Sequence, residues 1–147
     1  MHLILLAISV VIVDQFSKYL TVRTLVEGQS IPIIKGFFHI TFIYNKGAAF
    51  GILEEKQWIF ILVALALLLT IYSLRKHIAT ENRRTQFGIA LLVGGAVGNL
   101  IDRIRINKVI DYFDFLIWPV FNIADIAICL GVGIVLWMNI RQDLRKK

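Results

Sequence analysis

The sequence predicts an all-α integral membrane protein, four transmembrane helices with a small sheet resting on the outer leaflet. Three observations carry that expectation. Hydrophobic residues make up 58% of the chain and charged residues only 18%, where a soluble domain would carry roughly 25% charge. Mean hydropathy is +0.75. Four apolar stretches each come near the roughly 20 residues an α-helix needs to cross the hydrocarbon core. At 147 residues the chain has room for one compact bundle, so residues 1–147 are expected to form a single membrane-embedded domain.

The first span is expected over residues 3–25, interrupted by Asp14 and Lys18. Only Met1 and His2 precede its apolar run, and no small-residue cleavage site comes before Asp14. It therefore reads as a retained helix rather than a removed leader. An outer connection follows over residues 26–56. Within it, Phe37 to Tyr44 is rich in β-branched and aromatic residues and is bracketed by Gly36 and Gly47, a composition that suits a strand. That stretch is apolar on both faces, so the strand is expected at the membrane surface or against the bundle. Further spans are expected over 57–74, 86–104 and 121–140, with a second outer connection over about 106–120. The single cysteine, Cys129, excludes an internal disulfide and is expected to pack as a small hydrophobe.

The net charge of +6 does not point to nucleic acid, because the basic residues gather at the ends of apolar runs, as flanks of membrane spans do. Arg75, Lys76, Arg83 and Arg84 lie between the second and third spans; Arg141, Arg145, Lys146 and Lys147 follow the fourth. Eight other basic residues fall in or near the opposite connections, so the raw count ties. Density breaks the tie, since the first set is packed into two short segments accompanied only by Glu81 and Asp143. Both termini are thus expected in the cytoplasm.

Polar residues beside or within apolar stretches are the candidates for chemistry. Asp14 and Lys18 are four apart and share a helix face. They suit a structural ion pair near the outer end of the first span, or a brace for the loop that follows. Asn45 opens Asn45-Lys46-Gly47-Ala48-Ala49-Phe50-Gly51 and by itself reads as a turn residue. In the third span, Gly94 and Gly98 form a small-x-x-x-small pattern that admits close helix approach. Gly95, Asn99, Asp102 and Arg103 fall on one face of the same helix. For Asp102 an inter-helix clamp and direct catalysis stand about equal, because Arg103 is placed to neutralise it.

Asp111 and Asp125 are the most informative pair. Asp111 has no basic neighbour within helical reach except Lys108; the spacing neighbours of Asp125 are Phe121, Asn122, Ile128 and Cys129. The chain between the two aspartates must leave the membrane and return, which brings the outer end of the third span beside the start of the fourth. Two carboxylates sharing a site cannot both ionise easily, so one holds a proton near neutral pH. The ionised member can then deprotonate water while the neutral one donates to a carbonyl oxygen, as in aspartic proteases. The competing reading has one aspartate capping the fourth helix and the other solvating a loop. Asn122 is placed to hydrogen-bond Asp125 or to orient a substrate carbonyl, and Asp114 reads as a loop or interfacial residue. No His-Glu-x-x-His occurs and His2, His39 and His77 are scattered, so neither a metal site nor a cofactor is expected. No Gly-x-Ser-x-Gly elbow is present. A small proton-coupled membrane transporter is the alternative reading, and a non-enzymatic assembly factor docking through the third span is a third.

The segments Asp14-Gln15-Phe16-Ser17-Lys18, Tyr44 through Phe50, Gly94 through Arg103, Val109-Ile110-Asp111-Tyr112-Phe113 and Phe121-Asn122-Ile123-Ala124-Asp125 together resemble bacterial lipoprotein signal peptidases, also called signal peptidase II. The resemblance spans essentially the whole chain. It implies four transmembrane helices with an extracytoplasmic β-cradle. It implies that Asp111 and Asp125 are catalytic, that Asn45, Asn99, Asp102, Arg103 and Asn122 line and shape the site, and that Asp14 and Lys18 are the polar pair of the first span. It implies an aspartic endopeptidase of the bacterial cell membrane with its active site on the extracytoplasmic side. The substrates would be prolipoproteins carrying a diacylglyceryl group, cleaved just before the lipidated cysteine. Membrane lipids are the other expected partners, and the chain is expected to act as a monomer.

Overall fold

The computed structural model describes residues 2–47 and 56–146. Part of the first outer connection, including Ala48, Ala49 and Phe50 of the Asn45 motif, lies outside the described residues. Among the described residues, five helices and three strands run in the order α1 (His2–Thr24), β1 (Ser30–Ile34), β2 (Phe38–Asn45), α2 (Gln57–Ser73), α3 (Arg75–Ile78), α4 (Arg83–Ile106), β3 (Val109–Asp114) and α5 (Ile123–Lys146). Three helices among the described residues are long and apolar enough to cross a membrane: α1, α4 and α5. The more apolar α2 is shorter, at 17 residues.

The central helix is α4, packed against α1, α2 and α5. Its start is fixed by Asn82, whose side-chain oxygen accepts from the backbone N–H of Arg84 and of Thr85, both at 3.0 Å. That satisfies two of the donors a helix leaves open at its first turn. Its end is fixed by Asn107, which turns left-handed at φ 56°, a conformation asparagine tolerates better than most side chains. Small residues bring its neighbours close. A methyl group at Gly94 would sit 2.8 Å from the Ala7 carbonyl of α1, and one at Gly131 of α5 would sit 2.6 Å from the Gly88 carbonyl of α4. The outward faces stay apolar: Ile12 and Phe16 of α1 and Leu136 and Trp137 of α5 are all more than half exposed. A surface of that kind is at home in lipid rather than water.

The fold is not all-α. An antiparallel sheet in the order β1–β2–β3 caps one end of the bundle. The expected strand over Phe37–Tyr44 is matched by β2, but β1 and β3 were not expected as strands. The β1–β2 pair is a hairpin turning through Gly36 at φ 74°, with Pro32 on the edge strand, where its missing N–H breaks no ladder. β3 pairs with β2 through Ile43 and Asp111, Tyr44 and Ile110, and Asn45 and Val109. Asp111 therefore rides on a strand, not on the end of the third span. Phe113, Phe115 and Phe121 stack behind it, the last two at 5.8 Å and nearly parallel. Asp114 ends β3 and accepts from Thr41 Oγ1 at 2.7 Å and from the Leu116 N–H at 2.8 Å. The latter bond holds Leu116 at φ 65°.

The α4–α5 contact yields a paired test. Gly131 and Gly133 share α5, yet an added Cβ at Gly133 meets nothing within 4 Å. Gly131→Ala should destabilise the protein by about 1–3 kcal/mol through overpacking, whereas Gly133→Ala should be neutral or stabilising by up to about 1 kcal/mol through helix propensity. Thermal unfolding in detergent micelles reads both; equal effects would contradict the packing described.

Candidate active site

A buried ammonium organises the polar interior. Lys18 is 1% exposed, and its Nζ lies 2.9 Å from Asp14 Oδ2, 2.8 Å from Asp102 Oδ2 and 2.9 Å from Asn99 Oδ1. Three acceptors match the three donors of a lysine. Asp14 also accepts from the Ala124 N–H at 2.9 Å, in the first turn of α5, where the helix dipole favours negative charge. Asp102 also accepts from the Ile110 N–H of β3 at 3.2 Å. One cluster thus joins α1, α4, β3 and α5. Lys18, not Arg103, neutralises Asp102. The Arg103 guanidinium turns the other way, donating to Gln57 Oε1 at 3.2 Å and lying 4.9 Å from the Phe60 ring centre.

The next layer consists of asparagines. Asn99 receives Lys18 on its oxygen and donates through Nδ2 to Asp125 Oδ1 at 2.7 Å. Asn122 donates through Nδ2 to Asp111 Oδ1 at 2.6 Å and to Asn99 Oδ1 at 3.1 Å. Its backbone N–H reaches Asp125 Oδ2 at 3.2 Å while its own side-chain oxygen accepts the Asp125 N–H at 3.0 Å. That reciprocal pair is a capping box built from Asn and Asp at the start of α5. Asn45 donates to the other oxygen of Asp111 at 2.9 Å; the antiparallel register sets it diagonally across from Asp111 on one sheet face.

Asp111 and Asp125 therefore hang from the same residue, Asn122, in different surroundings. Asp111 is 1% exposed. Burial, and then the nearby Asp125 carboxylate, push its carboxyl up to about 7. Lys108, its expected basic neighbour, instead sits over the Tyr44 ring at 4.6 Å. Asp125 is half-buried and lines a cleft of about 320 Å³ together with Asn45, Asn99, Arg103, Trp118 and Phe121. Behind Asp111, Tyr112 binds Ser17 of α1 at 2.6 Å; burial raises its phenol to about 12, so the hydroxyl stays protonated.

All nine polar residues singled out in the sequence fall in this region, in three groups. Asp14, Lys18 and Asp102 form the buried cluster, Asn99 and Asn122 link it to the two carboxylates, and Asn45 and Arg103 border the cleft. Gln15 was missed, although it donates to Asp102 Oδ1 at 3.0 Å and to the Gly98 carbonyl at 3.1 Å. Its signal was available, as a third polar residue beside Asp14 in an apolar span. Gln57 was missed because it opens α2 and looks like an interfacial residue in sequence.

Residues 6–141 match the family described as Signal peptidase (SPase) II. The chain is 42% identical over 137 residues to the lipoprotein signal peptidase of Moorella thermoacetica, covering 93% of this chain and 91% of that one. It is 47% identical over 132 residues to that of Clostridioides difficile, covering 87% of each. Its fold is similar to a bacterial membrane enzyme solved by the in meso method at 2.3 Å resolution, with a TM-score of 0.93 at 36% identity over 99% of this chain and 92% of that chain.

Two predictions follow from the electrostatics. Lys18→Met leaves Asp14 and Asp102 buried and uncompensated, which should destabilise the fold by about 3–5 kcal/mol, read as folded yield and unfolding midpoint in micelles. Asp111 binds its proton more tightly folded than unfolded, so its contribution to stability is complete below the ordinary value of 3.8 and is lost as pH rises toward about 7. Unfolding midpoints taken across that window should fall with pH in the parent relative to Asp111→Asn; parallel curves would contradict the raised value.

Proposed function

The chain belongs to the signal peptidase II family, and on that premise we propose that it is an aspartic endopeptidase of the bacterial membrane. It removes the signal peptide from diacylglyceryl-modified prolipoproteins by hydrolysing the peptide bond just before the lipidated cysteine. The observation that carries this reading is the common anchoring of two carboxylates by Asn122 beside an accessible cleft.

In this mechanism the pair shares one proton, held on the buried Asp111. Asp125, facing the cleft, takes a proton from a water whose oxygen attacks the scissile carbonyl carbon. Asp111 gives its proton to the carbonyl oxygen, forming a neutral gem-diol. Asp125 then passes its proton to the departing amide nitrogen as the C–N bond breaks, and Asp111 recovers a proton from a gem-diol hydroxyl. The dyad ends as it began. Asn45, Asn99 and Asn122 keep the carboxyls fixed, so little reorganisation is needed during reaction. Arg103 and Trp118 border the cleft where the substrate backbone would lie. The ion cluster of Asp14, Lys18 and Asp102 has a structural role.

The topology belongs to the same proposal. α1, α2, α4 and α5 are four spans of one domain, α2 covering about 25 Å at 1.5 Å per residue and so suiting the thinner end of bilayer dimensions. The density of Arg75, Lys76, Arg83, Arg84 and Arg141 at one end of the bundle supports cytoplasmic termini. The sheet and both aspartates then face the extracytoplasmic interface. Here a lipid-modified substrate, arriving laterally as a monomeric enzyme's partner, keeps its acyl chains in the bilayer while its scissile bond reaches the dyad.

Asp111→Asn and Asp125→Asn should each lower cleavage by about 10²–10⁴-fold while the protein still folds. The measurement is leader release from a purified diacylglyceryl-modified precursor, with unfolding midpoints as the folding control. Cleavage at the parental rate in either variant would defeat the assignment, and a transporter would instead lose proton-coupled flux.

A further inference from the structure

Toward the end of the bundle away from the two aspartates, α4 and α5 border a groove of about 620 Å³. Phe87, Leu130, Ile134 and Trp137 line it, and Trp137 is 66% exposed. Gly133 leaves it open, since an added Cβ there meets nothing within 4 Å. An adjoining recess of about 550 Å³ shares Arg83, Arg84 and Met138 with the groove and adds Arg141. Among the described residues, no carboxylate lies within ion-pair distance of these three arginines. Glu81, close in sequence, faces His77 instead at 3.5 Å. The first turn of α4 holds no acid, so two arginines and the positive end of a helix lie together uncompensated.

We propose that this groove is a binding site for an anionic phospholipid, with its phosphate among Arg83, Arg84 and Arg141 and an acyl chain along Phe87, Leu130 and Trp137. Charge chooses the occupant. A leader peptide would bring a basic segment to this end of the bundle, and a second copy of the chain would bring the same arginines; both are repelled. Free phosphate leaves the apolar groove unfilled. A phosphodiester headgroup with hydrocarbon attached satisfies both halves, in the manner of basic pockets between transmembrane helices. The inference needs only that the chain lies in a bilayer, so it stands or falls apart from the peptidase reading.

The test uses the purified full chain in non-ionic detergent, offered equal amounts of phosphatidylglycerol and phosphatidylcholine, with retained lipid quantified by mass spectrometry. Phosphatidylglycerol should be retained over phosphatidylcholine by at least about tenfold. The combined variant Arg83→Gln, Arg84→Gln, Arg141→Gln should bring the ratio near one; Arg141→Gln alone should lower it partway, which keeps the charge test readable if the combined variant does not fold. Gly133→Phe should fill the groove and cut phosphatidylglycerol retention several-fold with the unfolding midpoint unchanged. A parental ratio of one, or full retention in Gly133→Phe, overturns the proposal. Displacement by inorganic phosphate at matching concentration would mean a simple anion site, and displacement by a synthetic leader peptide would mean a leader seat; either outcome also overturns it.

Discussion

The ammonium of Lys18 is the constraint on which the rest of the structure depends. It is buried among three acceptors from two helices, and those acceptors hold the N–H groups of Ala124 and Ile110. Removing any one partner would strand a charge in a low dielectric, a far larger penalty than the loss of one hydrogen bond. Such a cluster contributes little net stability over a well-packed apolar core of equal volume. What it ties together is register: α1, α4, α5 and β3 each supply a group to it.

That register is what delivers the two aspartates to one place. Asp111 arrives on a strand and Asp125 in the first turn of a helix, and no local sequence rule relates them. Asn122 does, because it serves as helix cap and as side-chain donor at once. The capping box fixes Asp125 through the backbone of its own helix, so its orientation follows from helix geometry. Asp111 is fixed by Asn122 and by Asn45 across the sheet. Two carboxyls with unlike burial, held by neutral amides rather than by cations, are suited to sharing a proton rather than losing both.

The same helices present two different surfaces along their length. Around the aspartates α4 and α5 close tightly, with Gly95 and Gly98 against Ala124. Farther along, between Cys129 and Met138 of α5, the two helices border a groove that is apolar with a cationic rim. Cys129 borders both this groove and the cleft beside Asp125, so the two openings lie along one face of α5. A membrane component seated in the groove would therefore brace the helix that carries Asp125.

The sequence by itself determined the membrane class, the apolar stretches and the polar residues to watch, because hydropathy and the rarity of charge in apolar runs are local properties. It also pointed to the β2 strand, whose β-branched and aromatic composition suits extended structure. It did not reveal β1 or β3, since Ser30–Ile34 is short and contains Pro32, and the aromatic β3 merges into the apolar chain on either side. It paired Asp102 with its sequence neighbour Arg103, and only tertiary packing could bring Lys18 across from α1, 84 residues earlier in the chain, to take that role. Adjacent helix positions point about 100° apart, so the neighbour in sequence looked toward α2 while the distant lysine faced the carboxylate. The donors that meet Asp111 were likewise decided in three dimensions, by a strand register that no spacing between residues encodes, whereas the cap joining Asn122 to Asp125 follows their three-residue spacing.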